Sequence, residues 1–509
     1  MNTVSQNKNL NRKSKKLIIN FFKKSIVCVI ITVFPLWSEK KFSGEALLQD
    51  FKTIHYLFST AHATAFQKIS ANDKPRIDAL FDKESNYTLA EFIRIILKFY
   101  GNLQVDHTGL GLADDTMRTL TAEHLPFPLP LKFFENRAYV DCKCAGIPFA
   151  AEIETINGKT MQYWIESIHK FARVINDKQQ WISWKLEDGF SFLLYTITGA
   201  VKTYTIQFKD PEGNSKKVIL EHQHQIALGK DCLRISTQRP AYQSAVFFMV
   251  NKSLKTTFVS VNTFIFDEYK IRQWVADLHA ASQKNDSRYL IIDLRQNTGG
   301  LMYMSELLST AFIEQEINDK PVSRSRLRLI PLREQLSTVN GRMMKIADII
   351  SLENHLMQAF SETMKNSYFA TRNPNARYRR IMPASSAYRY EKIFVLCGPY
   401  TYSASVNFIR LLQLGHSQVV VVGESSGSRG DGHSAEFIFN YRIKNTGINL
   451  EIPIVHVQFA PLPVSYKAGE KIQPDVLQSQ TLEDFRNHED TVFNTAVKLI
   501  QEDSEMAEP

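Results

Sequence analysis

Three short, continuous apolar runs constrain the fold of this chain more than any other feature. They are Tyr289–Asp293, Lys392–Leu396 and Gln418–Val422, and a turn that contains glycine follows each of them. Hydrophobicity that is continuous and not alternating is typical of strands buried on both faces of a sheet. Helical stretches separate these runs, as they do in layered α/β proteins. The region from about 223 to 485 is therefore predicted to be an α/β core.

The sequence around this core predicts further parts. Apolar residues recur at helical spacing between residues 45 and 105, so we expect an N-terminal helical subdomain there. Three prolines in the segment 126–130 favour an extended linker and a domain boundary. The polar stretch from Val322 to Arg389 is interpreted as a long helical excursion between two core strands.

The formal net charge of +9 does not indicate a nucleic-acid partner. Seven of these charges lie ahead of the first acidic residue, Glu39, so the remaining body is nearly neutral. The basic start is followed by the 13-residue apolar run Ser25–Trp37, which has the length of a signal-peptide core and is short for a membrane span. Residues 1–38 are predicted to be a signal peptide or an uncleaved anchor. The protein is expected to be periplasmic, secreted or tethered to the membrane by this segment alone.

The five cysteines indicate one disulfide at most. Cys28 lies in the predicted export segment, and Cys142 and Cys144 are too close in sequence for an easy mutual bridge. The sequence favours buried or free thiols at Cys232 and Cys397. No Cys/His set has the spacing of a zinc site, so we expect no structural metal.

The turn after the first buried run could bind an oxyanion. Gly299 and Gly300 lie between that strand and a helix predicted to begin near Leu301, where main-chain N–H groups can point into a cleft. The simpler interpretation is a tight turn capped by Asn297.

The turn after the second run could carry a nucleophile. Ser403 lies where the next helix starts, at the carboxyl end of a strand, and the N–H of Ala404 could stabilise a developing oxyanion. The alternative is an ordinary serine N-cap.

Four segments in order carry a family resemblance. The run Asp293-Leu-Arg-Gln-Asn-Thr-Gly-Gly300 resembles a hallmark of the tail-specific, or C-terminal processing, serine peptidases and the related tricorn-core peptidases. The other three segments are similar to that family's nucleophile segment, its glycine-glutamate turn and its late Pro-Asp element, and they are Thr401–Ser405, Gly423–Gly427 and Gln473–Val476.

The resemblance implies a multidomain α/β and α+β protein with polypeptide substrates. The expected parts are the helical N-terminus, a PDZ-like insert at 136–222 and a ClpP/crotonase-like serine peptidase core at 223–485. The turn at Ile156–Gly158 and the hairpin from Val201 to Leu220 resemble those of PDZ domains. An ordinary α+β insert is the alternative.

Departures from the family pattern bear on the catalytic base. The processing peptidases use a lysine about 25 residues after the serine, whereas Arg429 stands at that place here and arginine stays protonated. The acidic residue that usually follows the serine by three is Val406. The histidine-using branch is therefore the closer match, and Asp106-His107-Thr108 resembles its histidine segment. On this basis His107 is the expected base, and Glu451 and Glu470 remain open as the residue that orients it.

Two other functions compete with the serine peptidase. Gly423–Gly427 also matches the Gly-x-Ser-x-Gly elbow of esterases, with Ser425 as nucleophile, but a loop-like sequence follows it. An inactive peptide-binding protein of the same fold is the second. His433 and His456 are alternative bases. The sequence predicts a peptidase that acts by acyl-enzyme chemistry without a cofactor. Ser403 and His107 are its expected catalytic pair, and Gly299 or Gly300 with Ala404 its expected oxyanion hole.

Overall fold

The computed structural model describes residues 40–69, 73–100, 108–112, 118, 124, 126–170, 178–221, 232, 234–236, 241, 243–372, 379–385 and 387–507. Residues Lys41–Pro509 form one compact unit. The predicted export segment, residues 1–38, lies outside the described residues. Among the described helices, none combines the length and the apolar character that a membrane crossing requires.

The N-terminal part of the unit is helical, as the periodicity predicts. Its elements are β1 (Lys41–Ser43), α1 (Gly44–Thr60), α2 (Asp73–Asp78), β2 (Asn86–Thr88), α3 (Leu89–Tyr100) and the later strand β3 (Gly109–Leu112). Ser43 caps α1, because its hydroxyl accepts a hydrogen bond from the N–H of Ala46 at 3.3 Å. The predicted apolar positions of α1 and α3, including Phe51 and Phe92, are buried, except for Leu97, which is half-buried.

An antiparallel sheet with two helices follows, in the region where a PDZ-like insert is expected. Its elements are β4 (Leu131–Phe134), β5 (Arg137–Val140), β6 (Glu152–Ile156), β7 (Lys159–Thr160), α4 (Met161–His169), α5 (Lys178–Thr198), β8 (Thr203–Lys209) and β9 (Ser215–Glu221). The strands are ordered β4-β5-β6-β8-β9, with β7 paired to β6, so β4 is an edge strand. The hairpin of β8 and β9 lies where the sequence predicts it. The PDZ-like assignment itself stays a prediction.

The first half of the core contains the first predicted buried strand. Its elements are β10 (Val246–Asn251), β11 (Thr256–Val261), α6 (Glu268–Lys284), β12 (Tyr289–Asp293) and α7 (Met302–Ser309). All five residues of β12 are buried, as the continuous apolar run predicts.

The expected helical excursion between residues 322 and 389 is wrong. The elements from Ile317 onward are β13 (Ile317–Asp319), β14 (Val322–Ser325), β15 (Leu336–Val339), β16 (Arg342–Met343), α8 (Ile346–Ala359), β17 (Phe360–Lys365), β18 (Tyr368–Thr371) and β19 (Arg379–Ile381). In the described part of this region, α8 is the only α-helix. Burial alternates along β14, with Ser323 and Ser325 buried, so small polar residues take the inward positions that hydrophobicity would normally mark.

The second half of the core contains the other two predicted strands. Its elements are β20 (Lys392–Cys397), α9 (Ala404–Gly415), β21 (Val419–Gly423), β22 (Gly432–Arg442), β23 (Ile448–Gln458), β24 (Val476–Leu477), α10 (Leu482–Arg486) and α11 (Thr491–Ala507). The core sheet has the order β10-β11-β12-β20-β21-β24, and every pair from β11 to β24 is parallel. Helices α6, α7 and α9 pack on one face and α11 on the other, which makes a three-layer α/β core.

A second, mostly antiparallel sheet joins the core to the N-terminal helices. Its order is β16-β15-β22-β23-β14-β18-β17, and β3 pairs with β23. Apolar residues of α1 and α3 share one hydrophobic cluster with β22 and β23. The N-terminal helices are therefore one face of this cluster and not a separate body.

The cysteines differ in part from expectation. Cys144 and Cys232 form a disulfide, so the expected thiol at Cys232 is wrong, whereas Cys397 is a buried thiol as predicted. The two partners are 88 residues apart in sequence, and a single sequence gives no spacing signal for such a pair. Cys142 keeps its thiol, with its Sγ 3.2 Å from that of Cys144, and burial raises the pKa of this thiol to about 12.

Candidate active site

The site is built where two neighbouring parallel strands end. Asp293 at the end of β12 is in register with Leu396 near the end of β20. The turns that follow these strands consequently lie side by side, and Thr401 Oγ1 joins them by donating to the carbonyl of Leu294 at 3.0 Å. The carboxyl edge of such a sheet is where α/β proteins usually place their ligands.

Ser403 occupies a strained position at the start of α9. Its φ of 56° and ψ of −118° lie in a region that non-glycine residues rarely adopt. Such strain is concentrated at functional sites and persists only where the surroundings hold it. The N–H of Ser403 donates to Ser428 Oγ at 2.9 Å, and the residue is 7% exposed.

Gly299 fits against Ser403 because it has no side chain. At its φ of 106°, a Cβ would lie 2.8 Å from Ser403 Cβ and 2.9 Å from the carbonyl oxygen of Tyr402. Any larger residue would therefore displace the serine or its turn. Of the two glycines predicted from sequence, Gly299 lies beside the predicted serine, whereas the space next to Gly300 is filled by Phe264 and Ile265.

Asn297 ties the two turns together. Its side chain accepts from the N–H of Gly299 at 2.8 Å and donates to the carbonyl of Val261 at 3.0 Å. Its own carbonyl accepts from Tyr402 N–H at 3.1 Å and from Ser405 Oγ at 2.9 Å. Asn297 thus does more than cap a turn, because it fixes both sides of the site.

The main-chain N–H groups near Ser403 differ in whether they could donate a hydrogen bond to an oxyanion. The N–H of Gly299 is already bonded to Asn297 and is not available to an oxyanion. The N–H groups of Gly300 and Ala404 make no hydrogen bond to another residue of the described chain. Of the two glycines named from sequence, Gly300 is the one that can donate together with Ala404.

An ion-pair network supports the first turn from behind. Arg295 bonds both carboxylate oxygens of Asp293, the closer at 2.7 Å, and reaches Asp490 at 2.6 Å. A cavity of about 740 Å³ lies beside this network, and its lining includes Tyr400 and Glu424. Burial raises the pKa of Glu424, although Lys132 and Ser479 counteract the shift.

The expected base, His107, lies outside the described residues together with Asp106. The described chain resumes at Thr108, whose hydroxyl lies 2.5 Å from His62 Nε2. His62 Nδ1 accepts from the N–H groups of Thr64 and Ala65, so its Nε2 carries the proton and donates to Thr108. Burial lowers the pKa of His62 to about 3, which keeps the ring neutral. Sequence reasoning missed His62, and a contact across 46 residues leaves no local signal.

Glu451, one of the two glutamates left open, lies against the segment that follows His107. It is in register with Gly109, and its carboxylate oxygen is 2.7 Å from the point where a Cβ on Gly109 would lie. The other, Glu470, is exposed and contributes its carbonyl to a bond with Gly430 N–H.

Both alternative bases lie on strands of the second sheet, His433 on β22 and His456 on β23. Burial, assisted by Arg429 and Arg324, lowers the pKa of His456 to about 4. His433 packs edge-on against the ring of Phe459. The guanidinium of Arg429 lies 3.5 Å from a carboxylate oxygen of Asp431.

Ser425 lacks the surroundings of an esterase nucleophile. Its hydroxyl donates to Gln473 Oε1 at 2.9 Å, and the chain after it continues through a loop into strand β22. A nucleophile elbow must lead into a helix. Ser403, and not Ser425, has the strand, strained serine and helix arrangement.

One group of side chains in the described part of the chain could hold a metal ion. It consists of Cys142, Cys144 and Cys232, and the disulfide occupies two of the three sulfurs. The group lies in the β4 to β9 sheet region, and the residues around Ser403 do not belong to it.

The chain is similar to known proteins in both sequence and structure. Residues 255–475 match the family model described as Peptidase family S41. No curated protein matches the chain. A structure of mature CPAF complexed with lactacystin superposes with a TM-score of 0.59 at 13% identity, covering 90% of this chain and 97% of that one. A structure of mature CPAF alone gives 0.53 at 14% identity, covering 87% and 94%.

At this identity the two CPAF structures show that the fold is shared across nearly the whole unit. The family match covers strands β11, β12, β20 and β21 of the core sheet and the four motifs described above apart from Val476. Residues 255–475 thus match the serine peptidases of family S41, the family of the C-terminal processing peptidases.

Proposed function

We propose that this protein is an active serine endopeptidase that cleaves polypeptides through an acyl-enzyme intermediate, with Ser403 as nucleophile and His107 as base. The observation that supports it most is the strained backbone of Ser403 against Gly299, at the end of β20 and the start of α9. A binding protein has no need to retain such strain.

The chemistry follows from the groups at the two turns. Ser403 Oγ attacks the peptide carbonyl carbon, and His107 takes the hydroxyl proton and returns it to the leaving amine. The N–H groups of Gly300 and Ala404 stabilise the negative charge on the carbonyl oxygen, aided by the N-terminus of α9. Water then attacks the carbonyl carbon of the acyl-enzyme while His107 takes its proton. The proton returns to Ser403 Oγ as the carboxylic acid product leaves.

We assign the orienting role to Glu451 in preference to Glu470. Both glutamates are exposed, but Glu451 contacts Gly109, two residues after His107, whereas Glu470 bonds to Gly430 through its backbone carbonyl. The hydrogen bond from His62 holds Thr108, the residue between His107 and Gly109. A carboxylate that orients the base would stabilise the imidazolium that forms during attack.

Labelling with a serine-reactive phosphonate followed by peptide mapping tests the nucleophile. We expect the label on Ser403, and Ser403→Ala should lose at least about a thousandfold in kcat/KM. Ser425→Ala is the matched control and should stay active. A label on Ser425 would support an esterase, and a wild type that neither takes up label nor cleaves casein would indicate a binding protein.

The pH profile of kcat/KM tests the base. Activity should rise through an apparent pKa of roughly 6 to 7 and then stay level, because attack needs a neutral imidazole. The pKa values of His62 and His456 are lowered to about 3 and about 4, so these rings are neutral throughout that range. His107→Gln should lose about as much activity as Ser403→Ala, and the double variant little more. Full activity in His107→Gln would exclude this base.

We also propose that the protein works outside the cytoplasm. The predicted export segment at residues 1–38 and the disulfide between Cys144 and Cys232 support this location, since disulfides persist in oxidising compartments. Cell fractionation should find the protein outside the cytoplasmic membrane or attached to it. Intact protein in the cytosol would contradict the proposal.

A further inference from the structure

The edge strand β4 is already occupied by other parts of the same chain. Peptides can join a sheet by adding a strand to an exposed edge, where backbone N–H and C=O groups are unpaired. Here the carbonyl of Leu131 accepts from Arg234 at 3.0 Å, and the N–H of Phe133 donates to Glu187 Oε1 at 3.3 Å. Two outward-facing backbone groups of β4 are thus bonded to side chains.

Helix α5 is packed firmly over this edge. Phe190 contacts the rings of Phe127 and Phe133, with centroids 5.1 and 6.0 Å apart. Leu186, Phe190 and Leu194 of the same helix are buried in the hydrophobic cluster of the β4 to β9 sheet. A peptide could reach β4 only by displacing these side chains, which would expose apolar surface to water.

The bonds of Glu187 and Arg234 connect to each other. Glu187 pairs with Lys132 of β4 at 2.9 Å, and Arg234 donates to the carbonyl of Glu187 at 2.5 Å. Arg234 also lies 3.4 Å from a carboxylate oxygen of Asp141. The cover over β4 is therefore a connected network, not a single contact.

The residue after Glu187 reaches the catalytic turn. Tyr400, three residues before Ser403, donates its hydroxyl to Asp188 Oδ1 at 2.8 Å. Burial and the carboxylates of Glu187 and Asp188 raise the pKa of Tyr400, so the phenol remains a donor. Helix α5 thus uses adjacent residues to cover the β4 edge and to hold the turn that carries the nucleophile.

We propose that α5 takes the place of a peptide ligand at the β4 edge and that Asp188 and Tyr400 are positioning residues for Ser403. The enzyme then cleaves polypeptides at internal bonds without reading a free C-terminal carboxylate at this edge. This inference rests on the proposed function and specifies the substrate class of that same site.

A pair of substrates tests the substrate class. A casein peptide that the full-length protein cleaves is made with a C-terminal acid and with a C-terminal amide, its cleaved bond at least about ten residues from that end. The two kcat/KM values should agree within about twofold. A preference of more than about tenfold for the acid would overturn the inference, since that is the scale of one recognised charge.

A set of variants tests the positioning residues. Tyr400→Phe and Asp188→Ala should each lower kcat about tenfold with KM within about twofold. The kcat of the double variant should be no lower than that of the less active single variant, because both changes remove the same hydrogen bond. Tyr163→Phe, at an exposed tyrosine of α4, is the control and should keep full activity. The thermal midpoint of each variant is recorded, and Tyr400→Phe is the conservative change that keeps the ring.

The outcomes separate the inference from the proposed function. Unchanged kcat in Tyr400→Phe, or a rise in KM alone, would overturn the role of α5 while phosphonate labelling of Ser403 still supported the peptidase. A wild type that is not labelled at Ser403 would instead contradict the peptidase mechanism itself.

Discussion

At the scale of single residues, the contact between Gly299 and Ser403 sets the tolerance of the site. Gly299→Ala should lower kcat/KM by at least about a hundredfold, because the new Cβ would lie 2.8 Å from Ser403 Cβ and displacements of this size misplace a nucleophile. Gly213→Ala is a matched control. Gly213 also has positive φ, at 91°, but nothing lies within 4 Å of its Cβ position. Steady-state kinetics on both variants measures the loss of activity, and thermal unfolding measures any loss of stability from alanine at positive φ. Equal activities in the two variants would refute the steric argument.

The buried ring of His62 gives a second prediction, on stability and pH. Its pKa is lowered to about 3 in the folded state, against 6.5 ordinarily, so the unfolded state binds more protons between these values. The free energy of unfolding is therefore not reduced by His62 above pH 6.5, and it declines as the pH falls toward 3. Between pH 6.5 and 4.5 the loss should be about 2 to 3 kcal/mol.

Urea unfolding at pH 6.5 and 4.5 measures this loss. In His62→Gln the difference in free energy of unfolding between the two pH values should shrink by about 2 kcal/mol. His488→Gln, at an exposed histidine, serves as the control and should leave the difference unchanged. The same pH difference in wild type and His62→Gln would contradict the assignment.

How far sequence predicts this site depends on how local each residue's role is. Ser403, Gly299 and Gly300 follow strands recognisable from their composition, so their meeting follows from parallel strand pairing. The roles of Asn297 and His62 depend on contacts to Val261 and Thr108, far away along the chain. Nothing in the local sequence distinguishes them from an ordinary turn asparagine or a surface histidine.

At the scale of elements, the strands with a local hydrophobic pattern are predictable from sequence, and those that depend on distant contacts are not. The strands β12, β20 and β21 have continuous apolar runs and are found where expected. Strand β14 buries Ser323 and Ser325, and β17 has mostly exposed side chains, so neither carries the hydrophobic alternation of a strand. Such strands form because neighbouring strands pair with them, which a local pattern cannot show.

The disulfide of the β4 to β9 sheet region gives a prediction at this scale. Cys144→Ser should lower the free energy of unfolding by roughly 3 to 5 kcal/mol, because the bridge closes a loop of 88 residues. Cys142→Ser is the matched control, since it leaves the bridge intact and changes a neighbouring buried sulfur. Denaturant unfolding under non-reducing conditions compares them. Equal losses in both variants would mean that packing, not the bridge, accounts for the effect.

At the scale of the whole molecule, the N-terminal helices and the peptidase core depend on each other. Phe51 and Phe92 of the helices lie in the same hydrophobic cluster as Tyr441 and Leu450 of the second sheet. The carboxylate of Asp50, 1% exposed, accepts bonds from the N–H groups of Asn445 and Thr446 at 3.1 and 2.8 Å. The turn between β22 and β23 is therefore held by α1.

This shared cluster predicts that the core defined from sequence, residues 223–485, cannot fold alone. Without α1 and α3 it would expose the apolar face of β22 and β23 to water, and such a face favours aggregation. A fragment of residues 41–509 should instead unfold cooperatively and remain monodisperse. Size-exclusion chromatography and circular dichroism compare the two fragments. Asp50→Ala in the longer fragment should lower the thermal midpoint by several degrees, because it leaves the bonded N–H groups of Asn445 and Thr446 without their acceptor. A soluble 223–485 fragment with a cooperative transition would show that the helices are an independent addition, and the dependence argued from the cluster would then be wrong.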